Sequence, residues 1–128
     1  MNQTSAQALL DLKHLPFKAP RVPIFDGRGA HWRPHTTDPE KLKEYTLTTQ
    51  VTDAFDFKTM IQSAAQEYAP DCIIHLGPGG NLGGAIVQSL VDIGWAQLHS
   101  KSDFIHRQSS EPLLLSSDRS DQRQRILQ

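Results

Sequence analysis

The sequence predicts an α/β fold, two or three parallel strands with flanking helices, and three observations predict it. Cys72-Ile73-Ile74-His75-Leu76 is an apolar run whose length suits a strand covered on both faces, as in parallel sheets. Gly77-Pro78-Gly79-Gly80 then breaks the run, because Gly77 and Gly79 open backbone angles closed to other residues and Pro78 fixes φ between them. A helical pattern stands on either side: Phe57, Met60, Ile61, Ala64, Ala65 and Tyr68 before the strand, and Leu82, Ala85, Ile86 and Leu90 after the turn. Helix, short link, buried strand, glycine turn and helix is the grammar of an α/β layer.

Composition sets the scale. The 128 residues are 38% hydrophobic, with a negative mean hydropathy, which fits one modest domain with a small core. The net charge of −1 and a pI near 6.6 give no electrostatic case for nucleic acid or an anionic membrane. No apolar run approaches the ~20 residues of a membrane span, and the N-terminus lacks the basic-then-apolar plan of a signal peptide. The single cysteine, Cys72, lies in the predicted strand and cannot form an internal disulfide. These features lead to the expectation of a cytoplasmic protein in which Cys72 is a core residue rather than a nucleophile.

Along the chain, residues 1–15 read as the end of a helix, with Leu9, Leu12 and Leu15 spaced in threes and Pro16 as the stop. Val22-Pro23-Ile24-Phe25 reads as a short extended segment, a strand start or a sheet edge, running into Asp26-Gly27-Arg28-Gly29. Residues 30–39 read as a loop, and Thr37-Asp38 offers a cap for a helix over 39–48 that turns Leu42, Tyr45 and Leu47 inward. Asp53 or Asp56 caps the Phe57 helix, and Pro70 ends it. Asn81 is the expected cap of the next helix and Gly94 its stop. Beyond it, residues 95–98 read as extended, residues 102–108 as a short helix capped by Ser100 or Ser102, and residues 112–115 as an exposed apolar run. From Ser116 onward Ser, Asp, Arg and Gln dominate, the composition of a disordered extension. There is no internal repeat.

Glycine-rich turns between a strand and a helix often hold phosphates, so the motifs bear checking. A dinucleotide fingerprint requires a glycine where Leu82 stands, and a P-loop requires Lys-Ser/Thr where Ala85 and Ile86 follow Gly84. A close-packed turn explains the glycines without a nucleotide. His31 and His35 lie near Asp26, but Pro34 keeps them off a helix, and no cysteine pair or second histidine cluster completes a zinc set. Arg28 and Arg33 are either partners for a phosphate or carboxylate or solvated loop residues. His75 reads as a hydrogen-bonded strand-end residue. The sequence calls for no cofactor and no metal.

Three segments, in order, resemble malonyl-CoA:acyl carrier protein transacylases. Phe17-Lys18-Ala19-Pro20-Arg21-Val22-Pro23-Ile24 resembles the segment of that family beyond its catalytic histidine. Gln50-Val51-Thr52-Asp53-Ala54-Phe55-Asp56-Phe57 is similar to its Q-x-x-N-P-V-x-W stretch, and His75-Leu76-Gly77-Pro78-Gly79 to its E-V-G-P-G turn. The likeness covers about residues 9–90, and the loop from Asp26 to Pro34 with the segment from Lys101 to Ser109 points to a divergent bacterial branch. The resemblance implies a partial three-layer acyltransferase core of the lysophospholipase-like kind, with residues 1–98 as the C-terminal part of its large subdomain and 99–128 as a partly disordered extension.

The family moves a malonyl group from coenzyme A to the thiol of an acyl carrier protein, in fatty acid or polyketide biosynthesis, through an acyl-serine. That serine sits in G-x-S-x-G, which this chain lacks, and the alignment puts the catalytic histidine upstream of Met1. The resemblance therefore implies a C-terminal fragment, inactive alone, whose partners are malonyl-CoA, acyl carrier protein and a missing N-terminal half or a second copy of the chain. It leaves one inherited position, a backbone carbonyl near Asp53, with Gln50 three residues earlier, that would orient the catalytic imidazole; Asp53 as a plain helix cap is the competing reading. Gly77, Pro78, Gly79, Gly80 and Gly83 form the structural motif. The alternative function is a small non-catalytic interaction module built on the same core, which would bury the apolar faces that a fragment exposes.

Overall fold

A computed structural model of the chain describes residue 7 and residues 10–128. The class is mixed α/β, with two small two-stranded sheets among the described residues. The chain divides into two compact units, Met1–Met60 and Ile61–Gln128.

In the first unit, residues 10–12 are helical; Leu9 lies outside the described residues, and Leu10, Leu12 and Leu15 are exposed. β1 (Ile24–Phe25) pairs antiparallel with β2 (His31–Trp32), in the register Ile24↔Trp32 and Phe25↔His31. The expected loop over 30–39 is thus corrected at its start, where residues 31 and 32 close a hairpin. The turn is tied by hydrogen bonds from Asp26 N–H to the Ala30 carbonyl (3.0 Å) and from Gly29 N–H to the Asp26 carbonyl (2.9 Å). α1 (Pro39–Glu44) starts as expected: Pro39 needs no donor in the first turn, and the Asp38 carboxylate accepts from Glu40 N–H. The helical path runs on past 48 through a π turn, Tyr45–Thr49, into α2 (Gln50–Thr52). Tyr45 is buried, and Leu42 and Leu47 are half-buried. Asp53 then turns extended and ends the run.

α3 (Phe57–Tyr68) has the predicted limits. Asp56 is its cap, accepting from Thr59 N–H (2.9 Å) and Oγ1 (2.7 Å). Asp53 instead accepts from the hydroxyl of Thr52. In the second unit the buried point of this helix is Ala65, whereas Tyr68 is 47% exposed.

β3 (Ile73–His75) pairs in parallel with β4 (Leu114–Ser116), in the register Ile73↔Leu114, Ile74↔Leu115 and His75↔Ser116. Two expectations change here. The 72–76 strand is not covered on both faces, because Ile74 is 48% and Leu76 76% exposed. The 112–115 run is not an exposed tetrapeptide; Leu113 and Leu115 are buried, and the strand pairing supplies its backbone partners.

Between the strands lie α4 (Gly83–Asp92) and α5 (Lys101–Ser110). α4 starts one residue later than Asn81 suggests, and its N-cap, Leu82, makes no side-chain cap bond. Its buried face is Ile86, Val87 and Leu90, with Ser89; Leu82 and Ala85 are exposed. Gly94 stops it at φ 62°, a left-handed angle that suits glycine. Residues 95–97 form a 3₁₀ turn rather than an extended piece, and it is followed by Leu98, which is wholly buried, as is Leu90. α5 is capped by Ser100, whose hydroxyl accepts from Asp103 N–H, while the Asp103 carboxylate accepts from His99 N–H. The polar segment after Ser116, expected to be partly disordered, contains α6 (Ser120–Ile126). It is held to β4 by Gln122 Oε1, which accepts from Ser116 N–H (2.8 Å). Gln108 does the same from α5, accepting from Leu113 and Leu114 N–H.

Candidate functional site in the second unit

His75 and Ser116 are the last residues of paired parallel strands, so the turns that follow both strands leave the sheet at the same end. Carboxyl ends of parallel strands are where open α/β sheets place their ligands. A cavity of about 400 Å³ lies there, with His75 and Ser116 in its wall, Val87 of α4 and Phe104 of α5 as apolar lining, and Gly80 and Gly83 at the glycine turn.

The glycine turn is fastened to the loop after β4. Ser117 N–H donates to the His75 carbonyl (2.9 Å), Ser117 Oγ donates to the Leu76 carbonyl, and the Asp118 carboxylate accepts from Gly79 N–H. Gly77, at φ 82°, is the position with a steric reason for glycine: a Cβ there would lie 2.8 Å from Asp118 Oδ1. Around Gly79, Gly80, Gly83 and Gly84 a Cβ would meet nothing within 4 Å. The close-packed reading therefore holds at Gly77 and not along the rest of the motif, where the glycines border open space.

The chemistry of the wall is mixed. Lys101, Arg119 and Asp118 bring charge to the cavity, and Gln108 and Gln122 bring amides. Ser116 Oγ is buried and has no hydrogen-bond partner among the described residues. Ser116 and His75 face each other in register, yet the hydroxyl makes no bond to the imidazole, so no Ser–His nucleophile pair is assembled. Cys72 offers no substitute: burial pushes its thiol up, against a smaller opposing pull from Arg125, which leaves it less nucleophilic.

The remaining candidate residues sit in the first unit. Gln50 opens α2, and Asp53 N–H donates to the Thr49 carbonyl (2.9 Å). Arg28 is engaged rather than solvated, with Nη2 at 2.6 Å from Asp26 Oδ2 and its guanidinium 4.5 Å from the centre of the Tyr45 ring. Arg33 Nε lies 3.4 Å from His31 Nδ1. Asp26, 4% exposed, also accepts from Arg28 and Ala30 N–H and from Trp32 Nε1. Burial pushes its carboxyl up, but the bonds from the Arg28 side chain and the three other donors outweigh that and hold it below the usual carboxylate range. No group of three or more metal-capable side chains occurs among the described residues, and no described helix is long and apolar enough to cross a membrane.

Sequence reasoning missed Ser116, Asp118 and the two glutamines of the cavity wall. The available signal was the apolar run 112–115 followed by Ser116-Ser117-Asp118, a strand ending in a turn, which reads as a second strand end once it is paired with 73–75. Comparison with family models, with curated proteins and with solved structures found no match.

Proposed function

We propose that this chain is the C-terminal part of a malonyl-CoA:acyl carrier protein transacylase-like domain, a partial three-layer acyltransferase core. On this reading the nucleophilic serine and the histidine base come from another segment, and the chain by itself is catalytically silent. The observation that carries the reading is the incomplete sheet. Among the described residues β3 has a single strand partner, and it leaves Ile74 and Leu76 open to solvent, whereas parallel strands are ordinarily covered on both faces. A further segment carrying a strand and its crossover helix would continue the sheet and cover the face that bears both side chains. The order of parallel strand, glycine turn and helix α4 supports the same reading, as does the unassembled Ser116–His75 pair, which leaves the chemistry to residues elsewhere.

In that role the chain supplies scaffold. The turn at Gly77 and Gly79, pinned by Asp118, sets the end of β3, and the backbone near Asp53 would hold the imidazole contributed by the other half. The test is incubation of this chain with labelled malonyl-CoA and an acyl carrier protein, followed by intact-mass analysis of both. The expected result is an unmodified chain and an unloaded carrier. A malonyl ester on any residue of this chain would overturn the proposal. A stable dimer in solution with Ile74 and Leu76 protected would favour the non-catalytic interaction module instead.

A further inference from the structure

The cavity of the second unit combines an apolar wall with two cationic side chains and a buried hydroxyl that has no partner, and its contents are not assigned by the acyltransferase reading, on which nothing in this inference rests. Val87, Phe104, Ile105 and Leu114 give it an apolar surface. Lys101, the first residue of α5, lines it without a hydrogen bond or ion pair among the described residues. Arg119 also lines it, tied only to Asp121 at 3.6 Å through two well-exposed side chains, a pair too screened to hold it. The acidic group in the wall, Asp118, is already occupied by Gly79 N–H. The N-terminal residues of the ten-residue α4, Gly83 and Gly84, add the positive end of a helix dipole. Ser116 Oγ, buried in the same wall, is a donor with no acceptor, a state that buried hydroxyls rarely keep.

We infer that this cavity binds a small amphipathic anion: an acidic head, carboxylate or phosphate, between Lys101 and Arg119, with an alkyl or aryl body against Val87, Phe104 and Leu114. An acceptor seated against the Ser116 wall satisfies the orphan hydroxyl. The volume, about 400 Å³, falls within the range of small-molecule pockets. The charge balance favours an anion, because the two cations outnumber the one carboxylate and that carboxylate is engaged.

The experiment is titration of the full ¹⁵N-labelled chain with octanoate, octyl phosphate and octanol, followed by amide chemical shifts. Saturable shifts at Gly80, Gly83 and Ser116 are expected with one or both anions, with octanol at least about tenfold weaker for want of the charge-assisted bonds. The tighter of the two anions identifies the head group. Lys101→Ala, a change at an exposed position, is expected to weaken binding by about tenfold with an unchanged circular dichroism spectrum. Val87→Trp, which fills the cavity, is expected to abolish binding; should it fail to fold, the lysine variant decides alone. No saturable shift with either anion overturns the inference. So does octanol binding as tightly as the acids, or full affinity in Lys101→Ala.

Discussion

The two units of this chain hold together by different physics. In the second, the buried set is apolar but for Ser89: Ala65, Ile86, Val87, Leu90, Leu98, Leu113 and Leu115. In the first, Tyr45 is the one buried hydrophobic side chain among the described residues, and beside it stands a buried carboxylate, Asp26. Tyr45 serves that centre too, accepting from Gly27 N–H (2.9 Å) and lying under the Arg28 guanidinium. An apolar core tolerates changes of pH and suffers from cavities; a buried carboxylate with several donors does the reverse, because its stabilising bonds exist only while it is ionised. The contrast teaches where this protein is vulnerable, and to what.

The largest effect is expected from Leu90→Ala. Leu90 is fully buried, and losing it should cost about 2–5 kcal/mol, by lost burial plus the cavity left behind. Denaturant unfolding followed by Trp95 fluorescence in a Trp32→Phe background would measure it. A cost below about 1 kcal/mol would mean that the second unit does not rest on this core.

Asp26→Ala comes next, at about 2–3 kcal/mol, since it strips an acceptor from Trp32 Nε1 and from two backbone N–H groups. It should be read through Trp32 in a Trp95→Phe background. The sign of the pH dependence follows from the lowered carboxyl. The stability it contributes is fully present above the ordinary value of 3.8 and is lost as pH falls from there through the lower folded value. The Trp32 transition should therefore weaken in that acid window in the native sequence and change less in Asp26→Asn, while the Trp95 transition moves less than either. Equal acid sensitivity at both tryptophans would break the contrast.

Gly77→Ala should have a smaller effect, about 1–2 kcal/mol, from the positive φ alone. Its added Cβ also presses on Asp118 Oδ1, so the Gly79 amide resonance should shift as the carboxylate is displaced. An unshifted Gly79 would show that Asp118 does not pin the turn.

What the sequence showed of this fold was whatever is local. The α3 limits follow from Phe57, Met60, Ile61, Ala64 and Ala65 together with the Asp56 cap, all within a few turns; the Ser100 cap of α5 and the Gly94 stop are equally short-range. The parts hidden in the sequence depend on distant partners. Leu113 and Leu115 look exposed until β4 finds β3, and the hairpin at 24–32 is fixed by a carboxylate that gathers three residues, Arg28, Ala30 and Trp32, rather than by a two-residue turn signal. The glycine turn was visible as a strand end, but its neighbours Ser116, Asp118 and Gln122 come from far along the chain, so the cavity was not. An apolar run carries no record of which layers cover the two faces of its strand, so Ile74 reads as buried where the structure leaves it exposed.

The proposal that this chain is the scaffold half of an acyltransferase core is tested most directly by complementation. The chain would be mixed or co-expressed with the serine- and histidine-bearing half of a malonyl transferase, and transfer of labelled malonyl from coenzyme A to an acyl carrier protein would be followed. Transfer is expected with both halves and with neither alone, together with protection of Ile74 and Leu76 from hydrogen exchange on association. No association and no gain of transfer, with β3 left as exposed as in the chain alone, would contradict it.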